Sequence, residues 1–232
     1  MKSQNLLLLH GALGSEIQLQ PLKDLLSNDF NVHTLNFEGH GGRVSNHEFD
    51  MERFAENVAE KLQTLQLTKT HIFGYSMGGY VALTLAKKYP AMVEKIVTLG
   101  TKFNWSLASA EREIKMLNPK KIEEKVPAFA KRLHELHQPN DWKEVMHKTA
   151  EMMLVLSGEK RLTNEDLQQI PHEVFIGIGA LDTMVTIEES ENAATQLPNG
   201  TLKIIADVKH PIEKVAPEIL AKMLRKFILV SN

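Results

Sequence analysis

Residues 71–80 read His71-Ile72-Phe73-Gly74-Tyr75-Ser76-Met77-Gly78-Gly79-Tyr80, and a helical pattern continues from there to Pro90. A short apolar run therefore ends in Gly-x-Ser-x-Gly, and a helix starts at once. A serine in that context sits on a sharp strand-to-helix turn, which flanking glycines allow the backbone to make. The turn projects the hydroxyl from a sheet edge. It also aims the N–H groups of the helix start at developing negative charge. The bland alternative is a tight turn with an inert serine, and the rest of the chain decides between the two.

The same alternation of strand and helix extends in both directions. Short apolar runs lie at 5–9, 32–36, 71–74, 95–100, 173–178 and 202–206. Such brief, nearly continuous runs suit strands covered on both faces. Helical patterns lie between most of them. Residues 51–66 put Phe54, Val58, Leu62 and Leu65 on one face, 77–89 follow Ser76, and 212–229 close the chain. This order predicts an α/β fold: a parallel sheet of six strands with helices on both sides.

Residues 103–170 break the rhythm. Ile122, Val126, Phe129, Leu133 and Leu136 recur at helical spacing. Asp141 with Glu144 reads as a capping box, Ser157-Gly158 as a stop, and Thr163 with Asp166 as a further cap. Helices that follow the C-terminal end of a strand lie over the ligand-binding edge of the sheet. The expectation is one domain over 1–232 with a helical cap or lid at about 103–170. Extra core helices without a gating role are the alternative.

Composition narrows the function classes. The chain has 232 residues, enough for one sizeable core, with 43% hydrophobic and 24% charged residues. A net charge of −2 creates no broad field for nucleic acid or an anionic membrane. Cysteine is absent, which excludes disulfides, thiolate metal sites and cysteine nucleophiles. The run Leu6–Leu9 is far shorter than a signal-peptide core or a membrane span and reads as a strand. A cytoplasmic protein acting on a small molecule is expected.

A serine hydroxyl needs a base, and histidine is the usual one. Of ten histidines, His210 follows the last strand pattern and precedes the C-terminal helix, which puts it at the sheet edge of Ser76. His172 precedes a strand and belongs at the opposite edge. His134, His137 and His147 lie in the expected cap. His134 and His137 share a helix face, but no third ligand accompanies them, so no metal is expected. The base needs an orienting carboxylate. Asp182, on the loop after VFIGIGA, is preferred to Asp207, which stands too near His210 in sequence. An oxyanion needs two N–H donors. Met77 follows the nucleophile, and Ala12 lies in the loop His10-Gly11-Ala12-Leu13-Gly14-Ser15 after the first strand. His10 reads as a brace for that loop. None of this chemistry calls for a cofactor.

The segments LLLLHGALGS, NFEGHGGRVS, FGYSMGGYVAL, GALDTMV and VKHP occur in an order that resembles the α/β-hydrolase fold family. The resemblance spans nearly the whole chain except the cap, and it implies a three-layer fold with a Ser76–His210–Asp182 triad. Within the family the chain is most similar to small cofactor-free esterases and thioesterases, which implies hydrolysis of a small ester or thioester through an acyl-enzyme. It also resembles SHCHC synthase of the menaquinone pathway, a lyase on the same fold, so lyase or carbon–carbon hydrolase chemistry is the alternative. A non-catalytic binding protein is the third reading.

Three departures stand out. The family usually has two strands before the HG loop, so the sheet is expected to be trimmed to six strands. Asn36 replaces the aspartate of the usual D-x-x-G-H-G, which predicts a looser loop. Tyr80 stands where the synthase commonly has arginine, which weakens the lyase reading, although Arg43 remains available for a carboxylate. The expected pocket lining is Leu13, Phe37, Phe103, Trp105, Trp142 and Met184, with Met77. It implies an apolar acyl or aryl group, although every one of these is also a good core residue.

Overall fold

Leu6, Leu7, Leu8 and Leu9 are all fully buried, and they explain how the sheet is covered. Successive strand residues point to opposite faces. Leu7 and Leu9 join one apolar cluster, and Leu6 and Leu8 join another. A four-leucine run thus builds the middle layer of three, each side chain contributing ~1.5–3 kcal/mol by burial.

The computed structural model describes residues 4–229. Its strands are β1 (Gln4–Leu9), β2 (Phe30–Thr34), β3 (Thr70–Tyr75), β4 (Val93–Leu99), β5 (Glu173–Gly179) and β6 (Asn199–Ile205). They form one sheet in the order β2-β1-β3-β4-β5-β6, and all five pairings are parallel. The chain passes from β1 to β2 on one side and then to β3 on the other. Ligands of open parallel sheets bind beyond the carboxyl ends of the strands at such a reversal.

On one face, α2 (Met51–Thr64) and α3 (Met77–Lys88) pack against Leu7, Leu9, Ile72 and Ile96. On the other, α1 (Gln20–Leu26) and α10 (Pro217–Leu229) cover Leu6, Leu8, Phe73 and Val97. Between β4 and β5 come α4 (Leu107–Ile114), α5 (Pro119–Lys125), α6 (Pro127–His137), α7 (Trp142–Leu156) and α8 (Asn164–Gln168), and α9 (Ile187–Gln196) joins β5 to β6.

The sequence patterns need local correction here. The single spacing from Ile122 to Leu136 is two helices, because Pro127 ends α5 at Lys125 and opens α6. Val126 and Phe129 then fall on exposed positions. Thr163 and Asp166 do form a reciprocal cap, whereas the Asp141 side chain accepts from the Lys143 N–H. The last helix starts at Pro217, after a short turn at Ile212–Lys214. Asn36 does not loosen its loop. Its Oδ1 accepts from the Glu16 N–H at 2.8 Å, and its Nδ2 donates to the Gly41 carbonyl at 3.2 Å.

The start of α3 lies hard against the sheet. A Cβ at Gly74 would stand 2.4 Å from the Gly78 carbonyl, and one at Gly78 would stand 2.5 Å from the Leu9 carbonyl oxygen. Both neighbours are backbone, which cannot step aside. Gly74→Ala is therefore expected to cost more than about 2 kcal/mol by overpacking. Thermal unfolding followed by circular dichroism checks this; a Tm drop of at least about 5 °C is expected for a chain this long. An unchanged Tm would show that α3 can shift.

Candidate active site

Ser76 occupies a backbone conformation that an L-residue rarely adopts, with φ 50° and ψ −117°. Holding it costs ~1–3 kcal/mol unless the surroundings over-determine it. Here they do. The Ser76 N–H donates to the Leu99 carbonyl at 2.8 Å, and the Ser76 carbonyl accepts from the Gly79 N–H and the Thr101 hydroxyl, each at 3.0 Å. Strand β4 thus grips the turn from one side and α3 from the other.

His210 and Asp182 meet at the same edge. His210 Nδ1 lies 2.8 Å from Asp182 Oδ2, and both side chains are almost wholly buried. The other carboxylate oxygen, Oδ1, accepts the N–H groups of Met184 at 2.8 Å and Val185 at 2.9 Å. A carboxylate can only accept, so Nδ1 carries the proton and Nε2 is left as the basic nitrogen. Burial on its own would raise the Asp182 carboxyl. The bond from His210 and the two backbone N–H groups outweigh it and hold the group below its ordinary value. The Tyr75 ring packs beside the imidazole, with centroids 5.6 Å apart. Asp207, the weaker candidate for the acid, is exposed, with φ 59°.

Ser76, His210, Ala12 and Met77 open on one cavity of about 50 Å³. Its wall is completed by Met51, Tyr80, Lys102, Trp105, Glu113, Met152, Met153, Met184 and Val185. Helices α4 and α7 thus supply part of the wall facing Ser76.

Of the residues read from the sequence as pocket lining, Trp105, Met184 and Met77 lie on this cavity. The others lie elsewhere. Phe37 is fully buried among His10 and Phe54. Trp142 packs with Ile122, Leu133 and Met146, and Leu13 packs partly against that cluster. Phe103 faces a separate surface cleft. Arg43 donates to the Asn36 carbonyl and lies within 3.9 Å of Glu38 and 3.7 Å of Glu60. Lys102, Glu113, Met152 and Met153 were not singled out from sequence, and Tyr80 was not read as pocket lining.

Three neutral histidines brace the loops around this edge. His10 donates from Nδ1 to the Gly11 carbonyl at 2.8 Å and accepts the Phe37 N–H on Nε2 at 3.3 Å. His137, from α6, accepts the Gly41 N–H on Nδ1 and donates from Nε2 to the Leu13 carbonyl, each at 3.2 Å. His134, on the same helix, bonds Gln138. His40 lies between His10 and His137, its ring tilted to His10 and edge-on to His137, and bonds the Glu38 carbonyl. Burial pushes His10 down to about 4 and lowers His40 and His137 as well.

A sequence model of the alpha/beta hydrolase fold matches residues 4–138. A Caulobacter segnis protein provisionally named carbamate hydrolase RutD is 27% identical, over 96% of this chain and 90% of its own length. A Haemophilus influenzae protein provisionally named esterase/lipase is 22% identical, over 96% and 82%. The solved thermophilic esterase of Thermogutta terrifontis superposes with a TM-score of 0.77 at 22% identity, covering 98% of this chain and 90% of that one. Carboxylesterase CesB of Bacillus subtilis gives 0.74 at 19%, covering 98% and 84%.

The lowered histidines set a pH dependence of stability. Below about pH 6.5 the unfolded chain binds protons that buried His10 refuses until about pH 4. Stability should therefore be full above pH 6.5 and fall across that window. Urea denaturation at pH 7, 6 and 5 measures the slope, and His10→Asn should make it shallower. An equal slope in the variant would contradict a neutral His10.

Proposed function

Since the chain belongs to the alpha/beta hydrolase fold family, we propose that it is a serine hydrolase acting on a small carboxylic ester or thioester. The observation that carries this reading is the 2.8 Å bond from His210 Nδ1 to Asp182, beside a Ser76 held at φ 50° on the same cavity. In the proposed cycle Ser76 Oγ attacks the substrate carbonyl carbon and His210 Nε2 takes its proton. The negative charge on the carbonyl oxygen is received by the N–H groups of Ala12 and Met77. His210 then protonates the departing alcohol or thiol, which leaves an acyl group on Ser76. Water, deprotonated by His210, releases the acid and restores the serine.

Several features support this division of labour. Asp182 keeps the basic nitrogen of His210 turned away from itself and stabilises the imidazolium that forms. The cavity wall is mostly methionine, tryptophan, tyrosine and valine, which suits an apolar acyl or aryl group. Helices within 103–170 contribute to that wall, and we assign them the role of a cap. The same attack would open a carbamate, the bond named for the Caulobacter segnis relative. The lyase alternative drew on Arg43 as a carboxylate binder, and Arg43 is engaged by Asn36 and two glutamates instead. Among the described residues no helix is long and apolar enough to cross a membrane, and with no cysteine in the chain the cytoplasm is the compartment we assign.

Ser76→Ala is expected to lower kcat on short p-nitrophenyl esters by at least ~10³-fold, with circular dichroism unchanged. Turnover close to the unmodified enzyme would exclude a serine mechanism. A second comparison separates the two aspartates. Asp182→Asn should leave His210 in the wrong tautomer and cost up to ~10⁴-fold in kcat. Asp207→Asn, at an exposed position, should cost far less. The reverse ranking would overturn the triad.

A further inference from the structure

One part of the cavity wall is not apolar. Lys102, on the loop after β4, and Glu113, on α4, both face the space beside Ser76. Lys102 is held between two buried carboxylates, with Nζ 3.6 Å from Glu113 and 3.9 Å from Glu189. It also donates to the Met184 carbonyl at 3.4 Å and lies over the Trp105 ring.

The two carboxylates differ. Glu189 is occupied: its Oε1 accepts the Phe103 N–H at 3.2 Å, and its Oε2 accepts the Thr186 hydroxyl at 3.4 Å. Glu113 is only 5% exposed, and its contact with Lys102 is longer than a hydrogen bond. Its carboxylate therefore has acceptor capacity left, on a wall of an otherwise apolar cavity. Burying a carboxylate is costly unless its acceptors are filled. The cluster has one ammonium for two carboxylates, so it also lacks one positive charge.

We propose that Glu113 determines the substrate class of this enzyme by accepting a hydrogen bond from a protonated amine at the far end of the acyl chain. The inference rests on the serine-hydrolase reading. The amine supplies the missing donor and the missing charge together. A substrate ending in a carboxylate would meet two glutamates and a lysine that they already hold. A charge-assisted bond of this kind is roughly twice as strong as a neutral one. Desolvated inside the cavity, it is enough to sort acyl groups of equal length.

The test uses methyl esters of ω-amino acids of four to six carbons, with unsubstituted and ω-carboxylate esters of matched length, followed by titration of released acid. The unmodified enzyme should favour the amine over the carboxylate at the best length by at least ~10-fold in kcat/KM. Glu113→Gln should reduce the ratio of amine to unsubstituted ester toward one. Glu111→Gln, exposed on the same helix, should keep the ratio. Labelling of Ser76 by a fluorophosphonate reports whether each variant retains its site, and Glu113→Leu replaces Glu113→Gln should the latter not fold. A preference for the carboxylate that disappears in Lys102→Met would overturn the assignment and make Lys102 the reader. An amine preference untouched by Glu113 substitution would overturn it too. Absence of both labelling and ester turnover in the unmodified enzyme would overturn the hydrolase reading along with it.

Discussion

The close approach of α3 to the sheet at Ser76 is the constraint from which the rest of the site follows. Gly74 and Gly78 let helix backbone touch strand backbone, and only then does the chain turn within one residue. That turn sets Ser76 at φ 50° and points it out of the sheet edge. The strain is contained because β4 supplies the Leu99 carbonyl and the following loop supplies the Thr101 hydroxyl. A serine positioned this way needs no adjustment of its own backbone to present its hydroxyl to the cavity.

The parallel order of the sheet does the remaining assembly. Each loop that bears a site residue leaves the carboxyl end of a strand: Ala12 after β1, Ser76 after β3, Lys102 after β4, Asp182 after β5 and His210 after β6. Residues as distant as 12 and 210 come to one cavity without any long excursion of the chain. The histidines of the neighbouring loops bind these segments to one another. His137 links the inter-strand helices to the Leu13 carbonyl, in the same loop as Ala12. Tyr80 reaches from α3 to the Leu162 N–H. The wall above Ser76 is thereby tied to the floor at two points.

The strands were legible because each is a short run rich in apolar residues; Leu6–Leu9, buried on both faces, is the plainest case, whereas the edge strand β6 has no fully buried residue. Ser76, Asp182 and His210 were legible for a related reason: each stands just after such a run, so its edge of the sheet follows from the chain direction. The cavity wall was not legible. Phe37 and Trp142 are as apolar as Trp105 and Met184, and nothing local says which of them faces Ser76. Met152 and Met153 reach it through the packing of α7, which is a tertiary matter. Glu113 belongs to a short helix whose surface pattern looks solvated. Pro127 was overlooked as a break because the apolar spacing runs on across it, although its ring and missing N–H end α5 there. Asn36 was misjudged because an amide can both donate and accept where the usual aspartate only accepts.

The central claim is that the acyl group passes through Ser76, and one measurement addresses it directly. Mixing enzyme with p-nitrophenyl acetate, quenching in acid within the first turnovers and mapping the digested peptides by mass spectrometry locates any covalent intermediate. The account predicts a single acetyl group on the peptide containing Ser76, disappearing as substrate is exhausted. Acetyl on a lysine or histidine alone, or steady turnover with no acetylated Ser76 at any quench time, would contradict it.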